Sequence, residues 1–368
     1  MRLVDAPRYI MALPMLGLAV LQCGAYSILW TSWRLVSLCL PSKYYPKGDD
    51  FLFERYQQLI IFIIESCAGA QLVLYGDGKE VLKKRENVIW LSNHQSAADW
   101  VVCEILALNQ GSLAGVRYIL KDTIKYMPIF GWYFPQHNCV YVRRTGTPKD
   151  IEDIERQLQV YPRLQMPVWL VIFPEGTRYN PDKPKVVQKS QQFAHKLNLP
   201  VLKHHLTPRV KAAFLSVQQL RNYADAVYDV TIGYEERYLP TNLAIRNSNI
   251  SFTDFGMGFY NRVHVKVTRI DIRDAPETEE EFQTWLHDKF QQKDKDLDHF
   301  YNSDMGKARR FAGQSYLCPR STFTTLQSVC FWAVSSAAIL MTSPGAWLWN
   351  RSWAGILLGG TVYAVLKK

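Results

Sequence analysis

The chain opens on an apolar stretch, Tyr9 to Leu29, with one amide, Gln22, and no charge. About twenty such residues can cross a bilayer. Arg2 and Arg8 precede it, and the apolar character continues through Trp30 and Trp33 to Leu40. That run is longer than the core of a cleaved signal peptide, so an uncleaved anchor is expected. A second run, Leu59 to Tyr75, is interrupted by Glu65. A carboxylate at mid-bilayer costs about 2.5–3.5 kcal/mol, so this run reads either as a span or as a buried or half-inserted helix. Two further apolar stretches, Thr324 to Met341 and Ala346 to Leu366, flank the turn signal Thr342-Ser343-Pro344-Gly345. Arg351 can snorkel from the second. Lys307, Arg309, Arg310 and Arg320 precede the pair, against Asp304 alone. This excess predicts a cytosolic flank and a helical hairpin returning to it.

Between these ends the pattern changes. Val88 to Leu91, Val140 to Val142, Val168 to Phe173, Val227 to Tyr234 and Val263 to Ile272 read as strands. Asp99 to Ala107, Asp150 to Tyr161, Lys189 to Leu197 and Glu279 to Tyr301 read as helices. Leu239 to Met257, rich in Asn, Ser and Thr, reads as a loop. Strands alternating with helices predict an α/β fold with a mostly parallel central sheet flanked by helices, bracketed by N-terminal and C-terminal membrane helices. The expected divisions are an anchor with interfacial helices at 1–79, a catalytic domain at 80–305 and a membrane hairpin at 306–368.

Composition narrows the function. Of 368 residues, 48% are hydrophobic and 21% charged, which argues against disorder and against a polytopic transporter. The net charge of +10 suits nucleic acid, an anionic membrane face or phosphorylated substrates. Eleven Trp residues favour membrane interfaces, although they also fill cores. The seven cysteines are irregularly spaced with no CxxC, unlike a disulfide framework or a zinc site, and point to a reducing compartment such as the cytosol.

The sharpest local signal is Asn93-His94-Gln95-Ser96-Ala97-Ala98-Asp99 directly after the strand VIWLS. Ser96 and Asp99 fit a capping box that starts a helix at Ser96. On one continuous helix, residues five apart point about 140° apart. A turn before the cap lets the Asp99 carboxylate fold back to orient the His94 imidazole, which can then take a proton from an alcohol. The plainer reading is a cap Ser, a dipole-stabilised Asp and an incidental His, because His-x4-Asp is short enough to arise by chance. Phe173-Pro174-Glu175-Gly176-Thr177-Arg178 follows another apolar strand; Gly176 permits a tight loop, and Arg178 offers a bidentate fork for phosphate. A salt-bridged turn is the alternative. The strand Val140 to Val142 ends in Arg143 and Arg144, and Lys121 is a further candidate cation. Ligands of open α/β sheets bind beyond the carboxyl ends of strands, so these groups should share one edge.

Taken together, these motifs resemble the glycerolipid acyltransferase family, whose best-known members are the 1-acylglycerol-3-phosphate acyltransferases. The resemblance covers about residues 85 to 215. The family's NHx4D block matches Asn93, His94 and Asp99; its strand ending in Arg matches at Arg144; FPEGTR matches unchanged at Phe173 to Arg178. The fourth block, an apolar strand beginning with Pro, matches Leu199-Pro200-Val201-Leu202 but departs afterwards, reading Lys203-His204-His205-Leu206-Thr207-Pro208-Arg209. That variant looks like the animal subgroup that includes the epsilon isoform and the lysocardiolipin acyltransferases. The N-terminal layout, Tyr179-Asn180-Pro181 and the length look most like the epsilon branch.

The resemblance implies that His94 is general base on the sn-2 hydroxyl of lysophosphatidic acid, that Asp99 holds its tautomer, and that acyl-CoA is the co-substrate attacked without an acyl-enzyme. It implies an acceptor site lined by Arg144, Glu175, Gly176, Thr177 and Arg178, helped by Lys121. No metal or bound cofactor is implied, and the expected partners are the two substrates and the bilayer, with no nucleic acid. Placement would be cytosol-facing on the endoplasmic reticulum, with the nuclear envelope and outer mitochondrial membrane as alternatives. Another lysophospholipid headgroup, such as lysocardiolipin or lysophosphatidylinositol, stays open. So does a non-catalytic membrane adaptor, against which the intact His94/Asp99 pair argues. A Ser or Cys hydrolase is disfavoured: no G-x-S-x-G occurs, and Cys103 reads as core. His204 and His205 adjoin, and neighbours on a strand point apart, which argues against shared metal coordination.

Overall fold

The structure, a computed structural model, describes residues 6–127, 130–236, 250–302 and 309–353. Its strands are β1 (Gln71–Gly76), β2 (Val88–Ser92), β3 (Val116–Lys121), β4 (Val140–Val142), β5 (Trp169–Ile172), β6 (Ala226–Glu235), β7 (Arg262–Asp271) and β8 (Tyr316–Leu317). The helices are α1 (Ala6–Ser37), α2 (Tyr45–Phe62), α3 (Gly78–Val81), α4 (Asp99–Gln110), α5 (Phe130–Gln136), α6 (Pro148–Leu158), α7 (Val160–Leu164), α8 (Pro184–Lys196), α9 (Lys211–Leu220), α10 (Phe252–Gly256), α11 (Glu279–Asn302) and α12 (Thr322–Leu340). The strands form one sheet in the order β4-β3-β5-β2-β6-β7-β1-β8.

β2 and β5 sit at the centre and are apolar at nearly every position, because helices cover both faces. Trp90, Trp169 and Tyr228 point to the face packed by α1, α2 and α4. Ile89, Leu91, Leu170, Ile172 and Val227 point to the opposite face, against α6, α9 and α11. The sheet is mixed. β4, β3, β5, β2 and β6 run parallel, and β1 runs parallel to β7, but the pairs β6/β7 and β1/β8 are antiparallel. The expectation of a mostly parallel sheet therefore holds around the site and fails on the far side.

Three local expectations change. The run Leu59 to Tyr75 is neither a span nor one helix. α2 ends at Phe62, a π-helical turn covers Ile63–Cys67, and β1 starts at Gln71. Gly69 takes φ 79°, left-handed backbone that favours glycine, and breaks the run. Residues 1–79 and 306–368 thus each contribute a strand, β1 and β8, to the central sheet. Leu199–Leu202 forms no strand. The turn signal after α12 is displaced: Thr342 caps the next helix by accepting from the Gly345 amide at 3.1 Å, and that helix is described from Ser343 to Trp353.

Among the described residues one helix, Thr322–Leu340, is long and apolar enough to cross a membrane. It packs on α2 and α1. Trp332 Nε1 donates to the Arg55 carbonyl at 3.0 Å, Ser336 Oγ donates to Gln22 Oε1 at 2.6 Å, and Ser328 Oγ donates to Gln58. The rest of the stretch Ala346 to Leu366 beyond Trp353 lies outside the described residues, as does most of the loop Leu239 to Met257.

A buried polar cluster joins the N-terminal helices to the sheet. Trp30 Nε1 donates to Asp49 Oδ1 at 2.7 Å, and Asp49 Oδ2 accepts from His137 Nδ1 at 2.6 Å. Arg117, fully buried on β3, pairs with Asp50 and donates to His137 Nε2 at 2.9 Å. Asp49, Asp50 and His137 are the three metal-type side chains that come together among the described residues. Trp30 and His137 occupy the Asp49 oxygens, and Arg117 occupies Asp50 and His137 Nε2 while supplying the compensating positive charge, so the cluster reads as structural.

Candidate active site

Parallel strands deliver their carboxyl ends to one edge, and the order β4-β3-β5-β2 places the sequence motifs side by side there. His94 follows β2, the Glu175 loop follows β5, Lys121 ends β3 and Arg144 follows β4. Asn93 fixes the exit from β2. Its side chain accepts from the Ile232 amide at 2.7 Å and donates to the Ile232 carbonyl at 3.0 Å, extending the β2/β6 ladder after β2 has ended.

The chain then turns, and α4 begins at Asp99 rather than at Ser96. Only half of the expected capping box forms: Asp99 accepts from the Ser96 amide, but Ser96 Oγ accepts from the Ala98 amide at 2.9 Å and not from that of Asp99. Asp99 Oδ2 accepts from the Gln95 amide at 2.8 Å, the Ser96 amide at 2.9 Å and His94 Nδ1 at 2.8 Å. Asp99 Oδ1 accepts from the Tyr234 hydroxyl at 2.6 Å. Asp99 is fully buried, and four donors together with the helix N-terminus offset the cost of burying its charge.

These partners decide the tautomer. Backbone N–H groups can only donate, so Asp99 Oδ2 is an acceptor and His94 Nδ1 carries the proton. Nε2 is left with its lone pair and has no hydrogen-bond partner among the described residues. The His94 side chain is 23% exposed. Its ring stacks on Phe173 with centroids 4.3 Å apart, which restricts its rotation. The His94 amide donates to Glu175 Oε1 at 2.7 Å, and its carbonyl accepts from the Tyr179 amide at 2.8 Å.

Glu175 turns inward. It is buried, and its second oxygen accepts from the Leu206 amide at 2.9 Å. It therefore ties the His94 turn to the segment 203–209 and does not face the open edge. Gly176 has φ 70°, and a Cβ there would lie 3.0 Å from the Arg144 guanidinium. Arg144 takes φ 65°, rare for a side chain of its size, at a cost of about 1–3 kcal/mol. That turn separates the two arginines. Arg143 pairs with Asp153 at 3.2 Å, whereas Arg144 donates to the Gly176 carbonyl at 2.7 Å. Desolvation and the neighbouring Arg209 charge push the Arg144 guanidinium below its usual pKa. An anion seated there would relieve the repulsion. Thr177, Arg178 and Lys121 are exposed at the same edge.

Sequence reasoning missed three residues. Tyr234 lies 135 positions from the carboxylate it holds. Gln95 bonds the Tyr301 hydroxyl on α11 at 3.0 Å, fixing the turn from the other side. Arg209 reaches the site through the departure from the fourth block, its amide donating to the Pro174 carbonyl at 2.8 Å. No local pattern marks the first two. The rings of His204 and His205 diverge, towards Asp298 and Phe290 respectively, as their adjacency predicted although they are not on a strand.

A base-competent imidazole beside a cationic edge, at the carboxyl ends of parallel strands, suits transfer of a group to an alcohol that carries negative charge. Residues 75–235 match the family described as Acyltransferase, and residues 257–332 the family described as Acyltransferase C-terminus. The protein is an acyltransferase. It is 40% identical over 344 residues to 1-acyl-sn-glycerol-3-phosphate acyltransferase epsilon of Mus musculus, covering 93% of this chain and 92% of that protein. It is 30% identical over 321 residues to the probable 1-acyl-sn-glycerol-3-phosphate acyltransferase 5 of Arabidopsis thaliana, covering 85% and 81%. The chain belongs to the 1-acyl-sn-glycerol-3-phosphate acyltransferase family, as the motifs anticipated. Among solved structures it is similar to the 1-acyl-sn-glycerophosphate acyltransferase PlsC from Thermotoga maritima, with TM-score 0.38 and 17% identity over 77% of this chain and 97% of that one.

Proposed function

We propose that the chain transfers a fatty acyl group from acyl-CoA to the sn-2 hydroxyl of lysophosphatidic acid, giving phosphatidic acid and free CoA. The observation that carries the mechanism is the tautomer: Asp99 holds the Nδ1 proton at 2.8 Å and leaves Nε2 as the base. Nε2 takes the hydroxyl proton as the oxygen attacks the thioester carbonyl. Asp99 stabilises the imidazolium that forms. The tetrahedral intermediate collapses, the carbon–sulfur bond breaks, and the imidazolium returns its proton to the departing thiolate. No acyl-enzyme is needed, because a thiolate leaves readily.

Arg144, Arg178 and Lys121 hold the acceptor phosphate, with Gly176 and Thr177 shaping the loop beside them. Glu175 acts through backbone, keeping the His94 turn in place. The reaction needs no metal or bound cofactor. The chain sits in a membrane through α12 and the apolar length of α1, with its catalytic edge in the cytosol, on the endoplasmic reticulum. The epsilon name of the 40%-identical mouse relative supports the choice of acceptor.

The test is CoA release by the purified chain on a panel of lysophosphatidic acid, lysocardiolipin and lysophosphatidylinositol. The highest kcat/KM is expected with lysophosphatidic acid. A faster rate with another acceptor removes the headgroup assignment, and fatty acid appearing in place of diacyl product removes the transfer.

A further inference from the structure

α8 emerges six residues after Arg178, from the same loop that carries the cationic edge. Pro184 starts it, and its inner side is pinned by the segment that follows: the Thr207 amide donates to Ser190 Oγ at 2.7 Å, and Ala194 is buried. The rest is open. Phe193 is 41% exposed and Leu197 39%, with Val201 at 36% just beyond the helix. At about 100° per residue, Lys185, Lys189 and Lys196 fall within about 40° of arc, and Phe193 and Leu197 follow in the next ~80°. Those lysines are exposed, and none pairs with a carboxylate among the described residues.

A lysine stripe beside an aromatic and an aliphatic edge is the pattern of a helix lying in a lipid–water interface. Lysine stems reach along apolar surface while the ammonium groups stay at headgroup level. Placement argues the same way. A lipid alcohol must reach His94 from a bilayer, so the edge from which α8 emerges has to approach that bilayer. We infer that α8 is an interfacial docking helix, which presses Phe193, Leu197 and Val201 into an anionic lipid surface and engages its headgroups through Lys185, Lys189 and Lys196. This inference rests on the membrane-bound reading above and adds a second, charge-dependent contact beside the catalytic loop.

The test uses the full chain in nanodiscs of phosphatidylcholine alone and of phosphatidylcholine with phosphatidylserine, and follows hydrogen exchange over residues 184–201. Attraction to an anionic leaflet multiplies partition about fivefold per lysine, so about a hundredfold for three sets the ceiling on the added protection. Exchange should slow in the anionic discs over α8 and stay constant over α6. K185Q/K189Q/K196Q should return it to the neutral-disc rate, and F193S/L197S should remove the protection in both discs. Equal exchange in the two discs overturns the proposal. Protection that follows added acyl-CoA rather than the anionic lipid also overturns it, assigning the stripe to the phosphates of the donor. If instead the chain leaves both kinds of disc on alkaline washing, the membrane-bound reading itself has failed.

Discussion

Tyr234→Phe removes one hydroxyl and leaves the ring, which packs edge-on against Phe255 and Tyr260 with centroids 6.1 and 6.0 Å away. The lost contact is the 2.6 Å bond to Asp99 Oδ1, an oxygen of a fully buried carboxylate. A hydrogen bond to a charged group contributes about 1.5–3 kcal/mol, and the orphaned oxygen adds a desolvation penalty. Thermal stability should therefore fall by roughly that amount. Asp99 keeps three donors on Oδ2, so the His94 tautomer survives, but the carboxylate gains freedom to rotate. A loss of about tenfold in kcat, equivalent to ~1.4 kcal/mol, is expected, with acceptor KM unchanged. The assay is CoA release against acceptor concentration, with thermal unfolding measured alongside. An unchanged kcat with lowered stability would reduce Tyr234 to a packing residue and refute the reasoning.

Other outcomes follow from the same geometry. Arg178→Ala and Arg144→Ala should each raise KM for a phosphate-bearing acceptor by about tenfold or more, with smaller effects on an acceptor lacking the phosphate; equal effects on both acceptors would remove them from the headgroup site. Arg117→Met leaves the fully buried Asp49 and the half-buried Asp50 without the guanidinium that offsets their charge and should cost about 3–5 kcal/mol, read as a lower melting temperature and faster proteolysis between α1 and α2. A melting temperature equal to that of the parent protein would contradict the structural reading of that cluster. Burial pushes the Glu104 carboxyl up to about 8, with the Tyr118 hydroxyl bond opposing. The folded state therefore keeps a proton that the unfolded chain sheds above its ordinary carboxyl range. Stability is lost as pH rises from about 4.5 to 8, on the order of 1.4 kcal/mol per unit. Glu104→Gln should gain on the parent protein across that window and match it at lower pH; parallel stability curves would contradict the assignment.

The candidate edge was readable because its motifs are short, local and placed at strand ends. Once VIWLS and VWLVI are strands of one parallel layer, His94 and Arg178 must share an edge, and Arg144 follows by the same rule. What stayed hidden depends on contacts between distant residues. Nothing near Tyr234 says that its hydroxyl meets a carboxylate on another element. Glu175, in the most recognisable motif, was expected to line the acceptor site, and only the folded backbone reveals that it clamps two amides instead. β1 was lost because Leu72-Val73-Leu74-Tyr75 closes an apolar run in which only Glu65, Ser66 and Gln71 are polar, and both periodicities fit so short a segment. Asp49, Asp50, Arg117 and His137 looked unremarkable along the chain, for their pairing joins α2, β3 and the turn after α5.

Transfer as proposed requires His94 Nε2 to remove the acceptor proton. Single-turnover acyl transfer by His94→Ala, with both substrates saturating and the folded state checked by its melting temperature, tests it most directly. The rate should fall by about a thousandfold, since a positioned general base contributes roughly 10²–10⁴, with the acceptor still bound. A well-folded His94→Ala protein that transfers acyl groups at near-normal rate would contradict it.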